Sequence, residues 1–357
     1  MEPTDKEIQY IDPHGAKETL GDNAIHVEGL SMILYDTDQF MDHFYHWWGE
    51  IILGSWRVYS AFIQYSNASW PPPLPARFIL PHIYLDEWHD RAGVNAPLMR
   101  ACFSSASIEK QDYWLDLIAL NRTVVFERAM IVSREAARRH PFSDKWYKMM
   151  AGTMDVPTLD NFWEYLRSTT IFNFLGYLPT VVVNPIPGNT EKPIITYISR
   201  QGAGRRLIDK DHELLVESLK LLEDEGICEV FVAMMERMSL HDQIDLVSRS
   251  TILIGVHGNG LTHQLWMPPS HRSTVIEIFI PKAYVFDYEL PARNLGHRHY
   301  AVWNDTLITY PKGTYYKGIT YGDGFHGNSI PVYGPAVARV IRERLTEPIT
   351  SRGGARN

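Results

Sequence analysis

Between residues 194 and 279 the chain repeats one pattern: a short apolar run, a polar turn, a segment with helical spacing, then another apolar run. Ile194–Ser199, Glu229–Met234, Thr251–Gly255 and Thr274–Phe279 read as strands. Asp211–Glu223, with Leu214, Leu215, Leu219 and Leu222 on one face, and Leu240–Val247 read as helices. Parallel neighbours need a long crossover, so this alternation implies an α/β fold with a parallel sheet covered on both faces. In such sheets ligands sit outside the carboxyl ends of the strands.

The chain has 357 residues, more than one core of about 250–300 residues accommodates, so two domains are expected. In the first half, Ala24–Tyr35, Phe78–Leu85 and Thr123–Val132 read as strands. His43–Tyr65, with Asp42 as its cap, Asp112–Leu120 and Leu159–Leu175 read as helices. Three prolines, a glycine and two asparagines between Val181 and Pro193 mark a boundary. The expected division is a polar, flexible stretch over 1–22, a first Rossmann-like domain over 23–184, a linker over 185–193, a second over 194–310, and a tail over 311–357.

A net charge of -8 argues against a nucleic-acid partner, and the basic run Arg134–His140 reads as a solvated helix end. Cys102 and Cys228 show no metal-ligand spacing, so no metal site is expected. No run approaches the roughly 20 apolar residues of a membrane span, and the N-terminal MEPTDKEIQY is polar and unlike a secretory signal. Sequons at Asn67, Asn121 and Asn304 permit a secretory location without establishing one.

Four groups of residues could carry chemistry. Gly255-Val-His257-Gly258-Asn259-Gly260-Leu261-Thr262 follows a strand and opens a helix, where glycines admit a ligand and free N–H groups attract anions. The same stretch could be no more than a tight strand–helix turn. Arg200, Arg205 and Arg206 surround a glycine turn after another strand, which suits phosphate recognition or a solvated loop equally. Glu277 lies inside an apolar strand and must be paired, with Arg200 and Arg293 as the candidate partners, or face a cleft, where it could take ribose hydroxyls. His43, His46, Glu50 and Arg57 share a helical face; His46 and Glu50, four apart, make a general-base pair, a salt bridge or a plain polar face.

Together these pieces resemble glycosyltransferase family 61. The matching stretches are YISRQGAGRR over Tyr197–Arg206, IGVHGNGLTHQLWMPP over Ile254–Pro269 and VIEIFIP over Val275–Pro281, with weaker matches at His43–Glu50 and Gly296–Trp303. Asn259 stands where the family usually has Ala, and Glu50 where relatives often carry Asp. The resemblance implies a GT-B fold: two facing Rossmann-like domains with parallel sheets, the first on the acceptor side and the second binding a nucleotide sugar. It also implies a C-terminal helix, Ala336–Leu345, that crosses back to the first domain. On that reading the enzyme is inverting. It moves a sugar from a UDP-sugar (UDP-GlcNAc or a UDP-pentose) to a hydroxyl of a protein or glycan, with no permanently bound cofactor. Arg200, Arg205, Arg206, His257, the Gly258–Thr262 helix start and Glu277 would hold the donor. Glu50 or His46 would take the acceptor proton. No DxD-like metal-binding pair is evident in the sequence, and relatives work in the ER or Golgi lumen. A transferase-like protein that binds UDP-sugar without turnover, or a hydrolase using His46 and Glu50, remains open at this point.

Overall fold

The computed structural model describes residues 9–38, 41–65, 73–139, 149–154, 156–183, 191–311 and 313–346. Two sheets organise it. The first comprises β1 (Ile25–Leu34), β2 (Arg77–Ile79), β3 (Ser107–Glu109) and β4 (Val124–Val132), in the order β3-β2-β1-β4 and parallel throughout. The second comprises β5 (Ile194–Ile198), β6 (Glu229–Ala233), β7 (Ser250–Val256), β8 (Thr274–Ile278), β9 (Arg298–Trp303) and β10 (Thr306–Ile308). Its order is β10-β9-β8-β7-β5-β6, and only the β9–β10 pair is antiparallel. The chain therefore reverses its direction of travel between β1 and β4, and again between β5 and β7. At those two places adjacent connections leave on opposite faces and open a crevice.

The second sheet follows its sequence pattern because β5, β7 and β8 are buried along their whole length, as strands covered on both faces must be. On one face Ile195, Tyr197, Ile252 and Ile254 pack with Leu215 and Leu219 of the Asp209–Asp224 helix. On the other, a single apolar cluster runs from Met32 and Phe78 of the first sheet, through Trp47, Trp48 and Trp56, to Trp266 and Phe279 beside the second.

Several expectations shift in the first half. The strand expected over Phe78–Leu85 stops at Ile79, since Pro81 has no N–H to continue a ladder and Ile83 N–H closes a turn onto Leu80 O. The helix expected from His43 is a π-helix over Tyr45–Ile52 that passes into an α-helix over Leu53–Tyr65, and Asp42 does not cap it. Gly49 accommodates the widened turn: a Cβ there would lie 2.9 Å from the Tyr45 ring. Inside the 1–22 stretch expected to be flexible, Pro13–Leu20 is helical, with the Asp12 carboxylate accepting from Gly15 N–H. The helix expected from Leu261 is a 3₁₀ segment over Asn259–Trp266. Residues 1–8, 185–190 of the expected linker and 347–357 of the tail lie outside the described residues, as does the sequon at Asn67.

The C-terminal helix, Gly334–Thr346, is corrected in its destination. Val337, Ile341 and Leu345 enter the core of the second sheet, Arg342 pairs with Glu225, and Arg344 Nε donates to Thr274 Oγ1 at 3.1 Å. An amphipathic pattern specifies that a face is buried, not against what. Helices that touch both halves include Glu164–Leu175, which packs on Asn95–Cys102 and on Leu240–Arg249.

Candidate functional site

At the crevice of the second sheet, β5 ends in the Ser199–Arg206 loop and β7 in the His257–Asn259 turn. Gly258 has φ +154, and a Cβ built on it would sit 1.5 Å from Arg200 Nη1. Only glycine lets the guanidinium lie against the backbone there. Arg205 Nη1 donates to His257 O at 2.8 Å, and Arg200 Nη1 approaches the same carbonyl at 3.5 Å. Arg205 also lies 4.6 Å over the Phe325 ring and 2.5 Å from His326 Nδ1. Its buried Nε has no partner, and among the described residues neither arginine has a carboxylate within 4.0 Å. Burial, then the charge of Arg200, lowers the Arg205 pKa. Two like charges converging on one turn, with Asp287 and Glu277 acting on Arg205 only from beyond ion-pair contact, favour an anion between them.

The other sequence-selected residues divide. Leu261 and Thr262 are buried; Leu261 N–H closes the turn on Gly258 O at 3.0 Å, so that donor is already used. Gly260 packs on Ile198, 3.0 Å from where its Cβ would be. Arg206 is half-buried and its backbone pairs with Gly327 and Ile330; no side-chain partner is found among the described residues. Glu277 is fully buried, and its oxygens are held by His257 Nδ1 and by His299 Nε2, the latter at 2.8 Å. It pairs with neither Arg200 nor Arg293, whose partner is Glu289. Burial pushes the Glu277 carboxyl well up and the His299 imidazole down to about 4. Fully buried and engaged by both histidines, Glu277 fixes the His257 ring and presents no accessible oxygen to a ribose.

Across from this turn, at the crevice of the first sheet, His46 Nδ1 and Glu50 Oε2 are 2.5 Å apart. Arg134, at the end of β4, donates from Nη1 to Glu50 at 3.2 Å and from Nε to Asp36, just past β1, at 2.8 Å. Glu50 is 2% exposed and His46 17% by side chain, so the imidazole is the outer member. Arg134 is itself buried, which corrects its reading as part of a solvated helix end. Arg57 turns away from the site, donating to Thr153 O and Val156 O at 2.8 and 3.0 Å.

The two crevices meet. Tyr45 N–H donates to Asn259 Oδ1 at 3.1 Å, linking the π-helix to the glycine turn. The Tyr45 and Tyr288 rings are 5.3 Å apart, and those of His257 and Tyr288 are 5.2 Å apart. Asp287 Oδ2 lies 3.6 Å from His257 Nε2. Asp36, Arg134, Asp287, Tyr288 and the Phe325–His326 pair carry no motif of their own. His299 lies in the weaker Gly296–Trp303 match, and the apolar flank of Glu277 signalled that such a partner had to exist. Among the described residues no cluster of three or more His, Cys, Asp or Glu is arranged to hold a metal ion, and no helix is long and apolar enough to cross a membrane.

Comparison with known proteins bears on this geometry. The EGF domain-specific O-linked N-acetylglucosamine transferase of Drosophila melanogaster is 31% identical over 125 residues, covering 34% of this chain and 22% of that protein. The chain thus matches only a part of that relative's length. Among solved structures, the E. coli heptosyltransferase WaaC with ADP is similar over 89% of this chain and 99% of its own, at 10% identity and a TM-score of 0.33. The Glycosyltransferase 61 profile matches residues 44–276, from the helix that carries His46 and Glu50 to the strand that carries Glu277. That span is well over half of the sequence, and the chain belongs to the glycosyltransferase 61 family.

Proposed function

We propose that this protein transfers a sugar from a UDP-sugar to an acceptor hydroxyl, with inversion, in the cleft between the two crevices. This is a GT-B-like use of two facing Rossmann-like units, divided near residues 185–193. The observation that carries it is the pair Arg200 and Arg205, which converge on the His257–Gly258 turn without a carboxylate partner among the described residues. A nucleoside diphosphate is the anion that fits. Its charge grows as the bond to the anomeric carbon breaks, so cations fixed beforehand stabilise the transition state more than the ground state. Phe325, already stacked on Arg205, helps fix that cation.

His46 serves as general base. Its Nδ1 is engaged by Glu50, which leaves proton exchange with a substrate to Nε2, while Arg134 holds Glu50 in place. The acceptor proton passes to His46 as its oxygen bonds to the anomeric carbon. The anomeric carbon–oxygen bond to phosphate breaks on the opposite side, its electron pair leaving with UDP. The donor is UDP-GlcNAc or a UDP-pentose, and the reading involves no nucleic acid. A lumenal ER or Golgi setting accords with the sequons at Asn121 and Asn304, both at exposed turns.

Isothermal calorimetry with UDP tests the donor half. Arg200→Ala and Arg205→Ala should each weaken binding by roughly tenfold to a hundredfold, the loss of one charge-assisted contact of about 1.5–3 kcal/mol. Gly258→Ala should do the same by pushing Arg200 aside. Unchanged UDP affinity in both arginine variants would place the diphosphate elsewhere.

A further inference from the structure

Glu50 and Glu277, the acids that fix the two cleft histidines, are shut away at 2% and 0% exposed by side chain, whereas Asp287 is 21% exposed. Asp287 stands in the segment that leaves the carboxyl end of β8, just before the Glu289–Leu295 helix. Its Oδ1 is buried, so Oδ2 is the oxygen open to a ligand. That atom lies 3.6 Å from His257 Nε2, beyond hydrogen-bond range. The His257 ring does not depend on it, being held by Glu277 and stacked on Phe279 at 5.3 Å. Asp287 also lies beyond the span matched to the family, which ends at residue 276.

The charge of Asp287 is felt on both sides of the seam. It acts on His43 and Tyr45 of the first half, and on Arg205 and Glu277 of the second. A ligand that reaches from the arginine pair towards the π-helix carrying His46 therefore passes this carboxylate. A carboxylate only accepts hydrogen bonds, so it repels a phosphate but holds hydroxyls. In a nucleotide sugar the nucleoside leaves the diphosphate on one side and the transferred sugar on the other. The hydroxyls of that sugar are the donors on the side that faces the first half.

Building on the transferase reading, we propose that Asp287 Oδ2 accepts hydrogen bonds from hydroxyls of the transferred sugar and so discriminates the loaded donor from the spent nucleotide. With the sugar in place the carboxylate is paired. After transfer, UDP carries more charge on its diphosphate and offers no sugar hydroxyl, so the same acid opposes it and favours its release.

Calorimetry on the full chain with UDP, UDP-GlcNAc and UDP-xylose tests this through the ratio of the UDP-sugar Kd to the UDP Kd. For the sugar that binds, Asp287→Asn should raise the ratio about tenfold, the loss of one charge-assisted hydrogen bond. UDP itself should bind at least as tightly as it does to the parent, because a repelling charge is gone. A merely structural role would weaken both ligands alike and leave the ratio where it was. If Asp287→Asn lowers the melting temperature, carbodiimide labelling of the parent carries the test, read by mass spectrometry on the peptide that contains Asp287. UDP-sugar should protect that carboxyl and UDP should not. An unchanged ratio overturns the inference, whether or not transfer survives, and so does equal protection by UDP, which would put the ribose at Asp287. A parent that binds neither UDP nor a UDP-sugar sinks the donor reading itself.

Discussion

Among the described residues two of the buried glutamates, Glu50 and Glu277, each fix a histidine at the edge of the cleft, and they are satisfied in opposite ways. Glu50 lies between His46 and the charged Arg134, which is anchored in turn by Asp36. Glu277 lies between His257 and His299, and no arginine bonds it. The first arrangement places an arginine-bonded acid behind a histidine that is partly open to the cleft. The second is a dry cluster in which burial disfavours separated charge on either side. On the proposed reading, the first pair exchanges a proton and the second only holds a ring in place.

The largest effect should come from breaking the first pair. His46→Asn removes the proton acceptor and should cut sugar transfer by about 10²–10⁴-fold with UDP affinity nearly constant. Glu50→Gln should cost less, because the imidazole remains but loses its orienting charge. Steady-state kinetics would reverse the roles if Glu50→Gln were inactive and His46→Asn close to parental. Arg134 keeps Asp36 as a partner in the Glu50 variant, so its urea midpoint should move little.

Breaking the second pair should reverse that balance. Glu277→Gln leaves one histidine without its acceptor at a fully buried position, which costs about 1–3 kcal/mol of stability. Transfer should suffer mainly through a displaced His257. A shift in urea midpoint smaller than that of Glu50→Gln would erase the distinction drawn here.

The smallest effect sharpens the comparison along the seam. His263, whose ring lies 5.1 Å from Phe44, and His297, bonded to Ser273 and Gln264, are both lowered to about 4 by burial. They stay neutral in the fold while the unfolded chain protonates them below about 6.5. Stability should therefore be complete above that pH and fall as the pH drops towards 4. Each histidine contributes a slope approaching about 1.4 kcal/mol per pH unit. Urea titrations at pH 7.5, 6 and 5 measure it, and His263→Leu should flatten the profile; an unchanged slope would show that the ring is wetter than the structure has it.

Much of the second sheet was legible because its strands alternate with helices in short, clean periods. Ile194–Ser199 and Thr251–Gly255 were placed within a residue of the observed ends. The first half was read less well, for physical reasons. After Ile79, Leu80 and Ile83 are buried in turns rather than in a strand and Tyr84 and Leu85 are exposed, and hydropathy does not separate these cases. The π-turn depends on the fit of Tyr45 against Gly49, which periodicity does not encode. Arg134 looked solvated because its neighbours are basic, although Asp36 and Glu50 surround it in space. Arg205 and Arg206 are adjacent in sequence, but only backbone geometry decided that Arg205 reaches the His257 carbonyl.

The tryptophan-rich cluster that runs beneath both sheets also limits how the molecule can move. Trp48 meets Trp266 at 5.2 Å, and Trp163 Nε1 donates to Leu265 O across the same boundary. Swinging the halves apart as rigid jaws would expose those indoles to water, at about 25 cal/mol for every Å² uncovered. On the proposed reading, substrates then enter and leave past side chains and loops at the rim, such as the 200–206 turn and the loop that carries Phe325 and His326, while the frame stays shut. The same cement makes the halves thermodynamically inseparable: heating should melt them in one step, and neither would keep its shape if expressed without the other.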